Sequence, residues 1–325
     1  WDPLLMTTGV YMYASKMVRL GVDHYRQAQA RSRLLFYREG PTGTVAVKQT
    51  GPRRVLSIDG RAEGNTTAIA QVVLGHLPFI FGRPIHDVCI IGLGTGVTAG
   101  AVTLYPVRQV EVIEIEPAVI EASAFFDSIN HRPLTDPRVV VRVDDARNAL
   151  LVSSSSSYDL IVSQPSYPWA SGSSKLFTLE FYRLAQTRLR TPGIFAQWVQ
   201  LYNMDFAGVM TLLKTFTLVF PQTLVMQVGG SSGEILLLGT TDQALIPWPA
   251  LSHIFSSPRR AEELTRIGVS NPGTILARLL LGPQEIPPLV AAYPTNTDDN
   301  GWLEFSAVRS LYRHTICQGA QESLP

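Results

Sequence analysis

Residues 222–240 read QTLVMQVGGSSGEILLLGT. Two apolar runs flank GGSSG, a spacer too short for the crossover helix that parallel strands need and of the right length for a hairpin. Upstream of it the chain alternates strand with helix. DVCIIG from residue 87 leads to a helix around 97–105, and QVEVIEI to one from Pro117 to about Phe126, with proline well placed in the first turn. RVVVRV leads to a short helix near 146–151, and YDLIVS to a loop. FTLEFYRLAQTRLR then precedes the strand GIFAQWVQ, and a helix around 205–218 precedes the hairpin. This alternation predicts a mostly parallel sheet covered by helices on both faces.

A parallel sheet ended by one antiparallel hairpin is typical of methyltransferase-like nucleoside-binding folds, whereas dinucleotide-binding Rossmann sheets usually stay parallel. The predicted class is therefore α/β, Rossmann-type and methyltransferase-like, with a terminal antiparallel hairpin. Ahead of it, LLFYREG, TGTVAVKQTG and RRVLSIDG, within 34–60, are short β-rich runs separated by turn residues. They predict an antiparallel meander, hence a small β-rich N-terminal domain at 1–66 and a nucleoside-binding domain at 67–325. Beyond 245 the chain reads as helical and is expected to cap the site, and SSSSS at 153–157 reads as a flexible surface loop.

Composition narrows the function. Hydrophobic residues make up 46% and charged residues 16% of the 325, which is lean and implies surface buried against a partner. A formal charge of +1 predicts no general attraction to nucleic acid, and the excess of basic residues between Lys16 and Arg54 reads as a solvated face. Cys89 and Cys317 form neither a disulfide framework nor a metal-ligand spacing, and the six histidines are scattered, so a reducing, cytoplasmic setting and no metal are expected. The longest apolar stretch, IAQVVLGHLPFIFG at 69–82, is short of a membrane span and broken by Pro78. Because the chain begins at Trp1, it is expected to be a piece of a longer protein.

IIGLGTGVTAG, residues 90–100, sets Gly92, Gly94 and Gly96 between a buried strand and a helix start. Glycine permits the tight turn and the close approach of a ligand, and the free N–H groups at the helix start face whatever binds there. Glu114 ends the next strand, where a carboxylate accepts from both ribose hydroxyls. Asp145, with Ala146 next to it, follows the third strand, where a carboxylate can accept from an adenine amino group. Taken singly, these are a tight turn, a solvated strand end and a helix N-cap. Three consecutive strands delivering fitting groups at the carboxyl edge favour a nucleoside site.

With these residues in place the chain resembles the spermidine synthase family, the polyamine aminopropyltransferases, and more closely the branch fused to a membrane-spanning region. The likeness rests on VLSIDG, HLP, IIGLGTG, VIEIEPAVIEA, DPRVVVRVDDAR, YDLIV and SGSSKLFTLEFYRLAQTRLRTPGIFAQW, over roughly 34–200, and on TNTDDNGWLEFSA at 295–307 for the fused branch. The resemblance implies an N-terminal domain used in dimerisation and a catalytic domain that binds decarboxylated S-adenosylmethionine. It implies that Gly92, Gly94 and Gly96 contact the donor's amino-acid-derived tail, Glu114 its ribose, and Asp145 with Ala146 its adenine. Aminopropyl transfer to a polyamine or another small amine follows, in a homodimer, cytoplasmic or tethered to a membrane.

The acceptor half departs from that pattern. The family carries an aspartate pair in the loop after the fourth strand, where this chain has SQPSYPWASG at 163–172, with Gln164 and Tyr167 at the two positions. The family's tyrosine, histidine and glutamate before the HxP-like segment correspond to Ala70, Gln71 and Val72. An ammonium cannot attack a sulfonium carbon until it loses a proton, and an amide is no base. Asp298, Asp299 and Glu304 are therefore the candidates for the missing acid, and Gln71, Trp169, Gln197 and Trp198 for the remaining substrate wall. Two other readings stay open at this point: a methyltransferase that uses intact S-adenosylmethionine, and a non-catalytic sensor of nucleoside or polyamine.

Overall fold

The computed structural model of the protein describes residues 2–10, 13, 18, 21–168, 170, 172–229 and 233–306. Four antiparallel strands open it in sequence order: β1 (Arg33–Glu39), β2 (Thr44–Thr50), β3 (Arg53–Ile58) and β4 (Arg61–Asn65). Val45, Ala46 and Val47 of β2 are fully buried, so the centre of this small sheet is covered on both faces. Asp59 and Gly60, at φ 50° and 75°, make the two-residue turn between β3 and β4, with Ile58 paired to Arg61. The meander thus has one strand more than the apolar runs predicted.

The larger sheet holds β5 (Asp87–Ile91), β6 (Gln109–Glu114), β7 (Val139–Val143), β8 (Tyr158–Ser163), β9 (Leu189–Gln200), β10 (Gln222–Gln227), β11 (Glu234–Thr240) and a short β12 (Leu279–Leu281). Their order is β12-β10-β11-β9-β8-β5-β6-β7. β5 through β9 pair in parallel, while β11 enters antiparallel between β9 and β10. The hairpin at GGSSG is therefore formed by inserting its second strand inward. Edge strand β12 was not anticipated, since the three leucines that form it carry no alternation.

Helices cover both faces, as alternating side chains along β5 require: Val88 and Ile90 join one core, Cys89 and Ile91 the other. The first core includes α1 (Ile69–His76), α2 (Val97–Thr103) and α3 (Pro117–Ser123). The second includes α4 (Ala146–Val152), α5 (Leu179–Arg188) and α6 (Phe206–Thr217). α3 starts at Pro117, with Glu116 as cap accepting from the Ala118 N–H at 3.0 Å, and tightens into a 3-10 turn at Ala124–Phe126. Asp205 caps α6 in the same way, from the Gly208 N–H at 2.8 Å.

Beyond 245 the chain is mostly helical apart from β12, but Trp248–Ile254 packs against the 3-10 turn Leu77–Phe81, Pro258–Arg266 against α1 and Ile286–Val290 against α6, instead of over the carboxyl edge of the sheet. Helix α7 (Pro258–Arg266) is fastened there by buried polar groups. Arg260 donates to the carbonyls of Ile254, Leu104 and His253, and Glu263 Oε2 meets His76 Nε2 at 3.0 Å and His131 Nε2 at 3.3 Å. The other nitrogen of His76 lies 2.9 Å from the Tyr105 hydroxyl.

Burial pushes the His76 pKa down, against the pull of Glu263. Burial raises Glu263, but hydrogen bonds from His131 and His76 outweigh it and bring the carboxyl down to about 2. Both groups make stability rise with pH. The unfolded histidine takes a proton below its ordinary 6.5 that the buried ring refuses. The Glu263 contribution is complete above its ordinary 4.5 and is lost as pH falls toward about 2. Denaturant melts across this range should show both losses, and Glu263→Gln should shrink the lower one. A variant profile that matches the wild type would assign the acid limb to other carboxylates.

Candidate active site

A cavity of about 980 Å³ lies at the carboxyl edge of the large sheet, with the end of the small sheet as its opposite wall. The loop after β5 forms one side. Gly92, Gly94 and Gly96 all have positive φ, at 87°, 53° and 78°. A Cβ on Gly94 would meet nothing within 4 Å, so its backbone faces open space where a ligand can approach. Gly96 does not line the cavity. A Cβ there would press on Asn130 Nδ2 at 3.1 Å and Pro133 at 3.2 Å, so this glycine serves the packing of the loop from behind.

Glu114 lines the cavity from the end of β6 and is 6% exposed. Its Oε2 accepts from the Leu93 N–H at 2.8 Å and its Oε1 from the Glu116 N–H at 3.0 Å. Burial pushes its carboxyl up, opposed by the backbone donors of Glu116, Leu93, Gly94 and Ile115. The hydrogen bonds from Leu93 and Glu116 take two of a carboxylate's roughly four lone-pair sites, which leaves two for a diol. Ile115 beside it is half exposed and offers an apolar face to a planar base. Asp145 and Ala146 line the same end, where Asp145 caps α4 through Oδ1 and the Asn148 N–H at 2.9 Å. The capping role and a place in the wall coexist.

At the other end stand Gln71, Gln164, Tyr167 and Trp198. The Gln164 amide is engaged at both atoms: Oε1 accepts from Thr98 Oγ1 at 2.8 Å, and Nε2 donates to the Gly92 carbonyl at 2.6 Å. It therefore clamps the glycine loop to α2. Tyr167 is buried, which pushes its phenol up; its ring stands edge-on to Tyr202, centroids 6.0 Å apart, and lies under the Arg61 guanidinium at 5.1 Å. The buried Trp198 Nε1 has no hydrogen-bond partner among the described residues.

Gln197 is fully buried outside the cavity wall, its Nε2 donating to the Trp198 carbonyl at 2.9 Å. Trp169 lies outside the described residues. The expected fold-back of the C-terminal motif over the pocket is not what the structure places. Asp298 sits outside the cavity wall in a two-pronged pair with Arg147, which holds its carboxyl low. Asp299 is exposed, and Glu304 accepts from Ser174 Oγ at 2.9 Å. The motif is pinned there by buried Asn296, which donates to the Phe177 carbonyl at 2.9 Å and accepts from the Leu303 N–H at 3.0 Å.

Residues absent from the sequence reading complete this end of the cavity. β4 contributes Arg61 and Glu63, the β3–β4 turn Asp59, the segment after β9 Tyr202, and the start of β11 Glu234. Arg61 Nε donates to Glu63 Oε1 at 2.5 Å, and Arg61 Nη2 to Ser166 Oγ at 3.2 Å. Burial pushes the Glu63 carboxyl up, against the lowering effect of Arg61. The Asp59-Gly60 dipeptide was the available signal for this strand.

Fold and cavity together define the class: a methyltransferase-like α/β domain with a cleft at its carboxyl edge, preceded by a four-stranded antiparallel sheet. Residues 67–228 match the family model described as Spermine/spermidine synthase domain. Polyamine aminopropyltransferase 2 of Aquifex aeolicus is 24% identical over 167 residues, covering 50% of this chain and 34% of that protein. Polyamine aminopropyltransferase of Clostridioides difficile is 28% identical over 156 residues, 47% of this chain and 55% of that one. The match thus spans about half or less of these relatives' own length. A spermidine synthase solved in complex with the transition state analogue AdoDATO superposes with a TM-score of 0.63 at 19% identity, over 80% of this chain and 88% of that one. The spermidine synthase from Thermotoga maritima gives 0.62 at the same identity and coverage. The chain has the spermidine synthase-like fold.

Proposed function

We propose that this domain transfers an aminopropyl group from decarboxylated S-adenosylmethionine to a small amine, a polyamine being the acceptor favoured by the relatives' names. The observation that carries this reading is the charge of the cavity wall. Among the described residues it holds the carboxylates of Asp59, Glu63, Glu114, Glu116, Asp144, Asp145 and Glu234 against the guanidinium groups of Arg53 and Arg61. A wall of that balance suits two cationic substrates, a sulfonium donor and an ammonium acceptor. In this reading Glu114 accepts from the ribose hydroxyls, Asp145 and Ala146 meet the adenine, Gly94 lets the tail approach, and Trp198 and Tyr167 enclose the aliphatic chain of the acceptor. The protein aligns the two partners and removes one proton.

The reading extends to the assembly. The sheet β1–β4 forms the contact of a homodimer, and 1–66 and 67–325 act as dimerising and catalytic units. The likeness of TNTDDNGWLEFSA to the fused branch supports a cytoplasmic domain tethered through a membrane-spanning region elsewhere in the full protein; among the described residues no helix is long and apolar enough to cross a membrane.

Incubation with decarboxylated S-adenosylmethionine and a panel of diamines and polyamines, read by mass spectrometry, should release methylthioadenosine and yield an amine heavier by one aminopropyl group. Silence across the panel, with the donor bound, would leave a sensor. Methyl transfer from the intact donor would make the domain a methyltransferase.

A further inference from the structure

Resting on the aminopropyl-transfer reading, we propose that Glu63, on the last strand of the small sheet, is the proton acceptor for the attacking amine and replaces the acid that the loop after β8 lacks. The nearer candidates are otherwise engaged. Gln164 is bonded at both amide atoms and is no base, while Asp298, Asp299 and Glu304 stand outside the cavity. Glu114 and Asp145 belong to the nucleoside end.

Glu63 lines the cavity from β4. Its neighbour Gly64 packs so closely on the glycine loop that a Cβ would stand 2.6 Å from Thr95 Cγ2. Arg61, paired with Glu63, reaches Ser166 in the loop after β8 at 3.2 Å. Glu63 is thereby suspended between the loop that faces the donor's tail and the loop that faces the acceptor. Its side chain is 15% exposed, so it is shielded from water and yet open to a ligand. Asp59 and Glu234 add negative charge in the same cavity, and the phenols of Tyr167 and Tyr202 close it.

The step balances without a further reactant. The ammonium gives one proton to the Glu63 carboxylate, and the freed nitrogen lone pair attacks the aminopropyl carbon next to the sulfonium. A C–N bond forms as the C–S bond breaks, its electron pair returning to sulfur to leave neutral methylthioadenosine. Glu63, now a carboxylic acid, releases its proton to solvent after product leaves. Desolvation makes the Glu63 carboxylate a better proton acceptor than an exposed one and outweighs the opposing effect of its pair with Arg61.

Glu63→Gln keeps the shape and removes the base, and Glu63→Asp keeps the charge on a shorter stem. Three quantities are measured on each: methylthioadenosine release with the most active amine, methylthioadenosine affinity by calorimetry, and affinity of the same amine in the presence of methylthioadenosine. The Gln variant is expected to lose about 10²- to 10⁴-fold in kcat and to bind the amine more weakly, with nucleoside affinity within about twofold, and Asp to recover part of the rate. Retained nucleoside affinity shows that the variant is folded. Turnover by wild type and Glu63→Gln alike would overturn the role of Glu63 and leave the function standing. No turnover by wild type would overturn the function, and the role of Glu63 with it.

Discussion

Glu114→Gln is expected to weaken methylthioadenosine binding by about 10- to 100-fold, the range that follows from losing charge-assisted hydrogen bonds at a buried site. The carboxylate accepts backbone N–H groups from Leu93 and Glu116 with separate oxygens. An amide has one oxygen to offer, so its NH2 must face either one of those donors or the ligand. In the first case the glycine loop loses its tie to β6, and in the second a ribose hydroxyl meets a donor where it needs an acceptor. Calorimetry with methylthioadenosine, paired with a melt of the free protein, separates the two: a lowered Tm marks the loop and an unchanged Tm marks the ligand. A variant that binds the nucleoside as wild type does would remove Glu114 from the site.

Gly100→Ala is expected to cost about 3 kcal/mol or more and to lower Tm by roughly 6–12 °C if the chain still folds. Gly100 lies in the middle of α2, and a Cβ there would stand 1.8 Å from the Asn130 carbonyl oxygen, with the His131 side chain next at 3.3 Å. Neither neighbour can yield cheaply. Asn130 is buried and holds the carbonyls of Thr95 and Ser123 through its side-chain amide, at 2.9 and 3.2 Å. His131 carries one side of the Glu263 cluster. The clash therefore reaches the glycine loop and α7 together, so the variant should lose nucleoside affinity along with stability. A melt within about 2 °C of wild type would show that α2 can shift away at little cost.

The large sheet was legible because its strands are apolar runs bounded by turn residues and its helices fill the intervals between them, so that the short GGSSG spacer could be weighed against a crossover. The end of the cavity lined by Glu114 and Asp145 was legible for a related reason. Glu114 ends β6 and Asp145 follows the end of β7 by two residues, and neighbouring parallel strands place their ends side by side. β4 was not legible as a run, because RAEGN has one apolar side chain and no alternation; it pairs with β3 through a turn whose only sign is Asp59-Gly60. The strand overlooked for its polarity is also the one that brings the carboxylate of Glu63 into the cavity wall. The C-terminal motif misled in the opposite direction. Its acids looked available in one dimension, but Arg147 and the buried contacts of Asn296 hold them beside α5. Partner choice among charged residues far apart in sequence carries no local signature.

The clamp made by Gln164 bears on how a chain like this can change over generations. An aspartate at 164 would aim an oxygen at the Gly92 carbonyl where an N–H now donates, and its shorter stem would not reach Thr98 Oγ1 while holding that contact. Placing an acid at 164 would thus loosen the turn after β5, so it would need compensation at Thr98 or in the glycine loop. An acid on the opposite wall of the cavity, as at Glu63, leaves both Gln164 contacts in place.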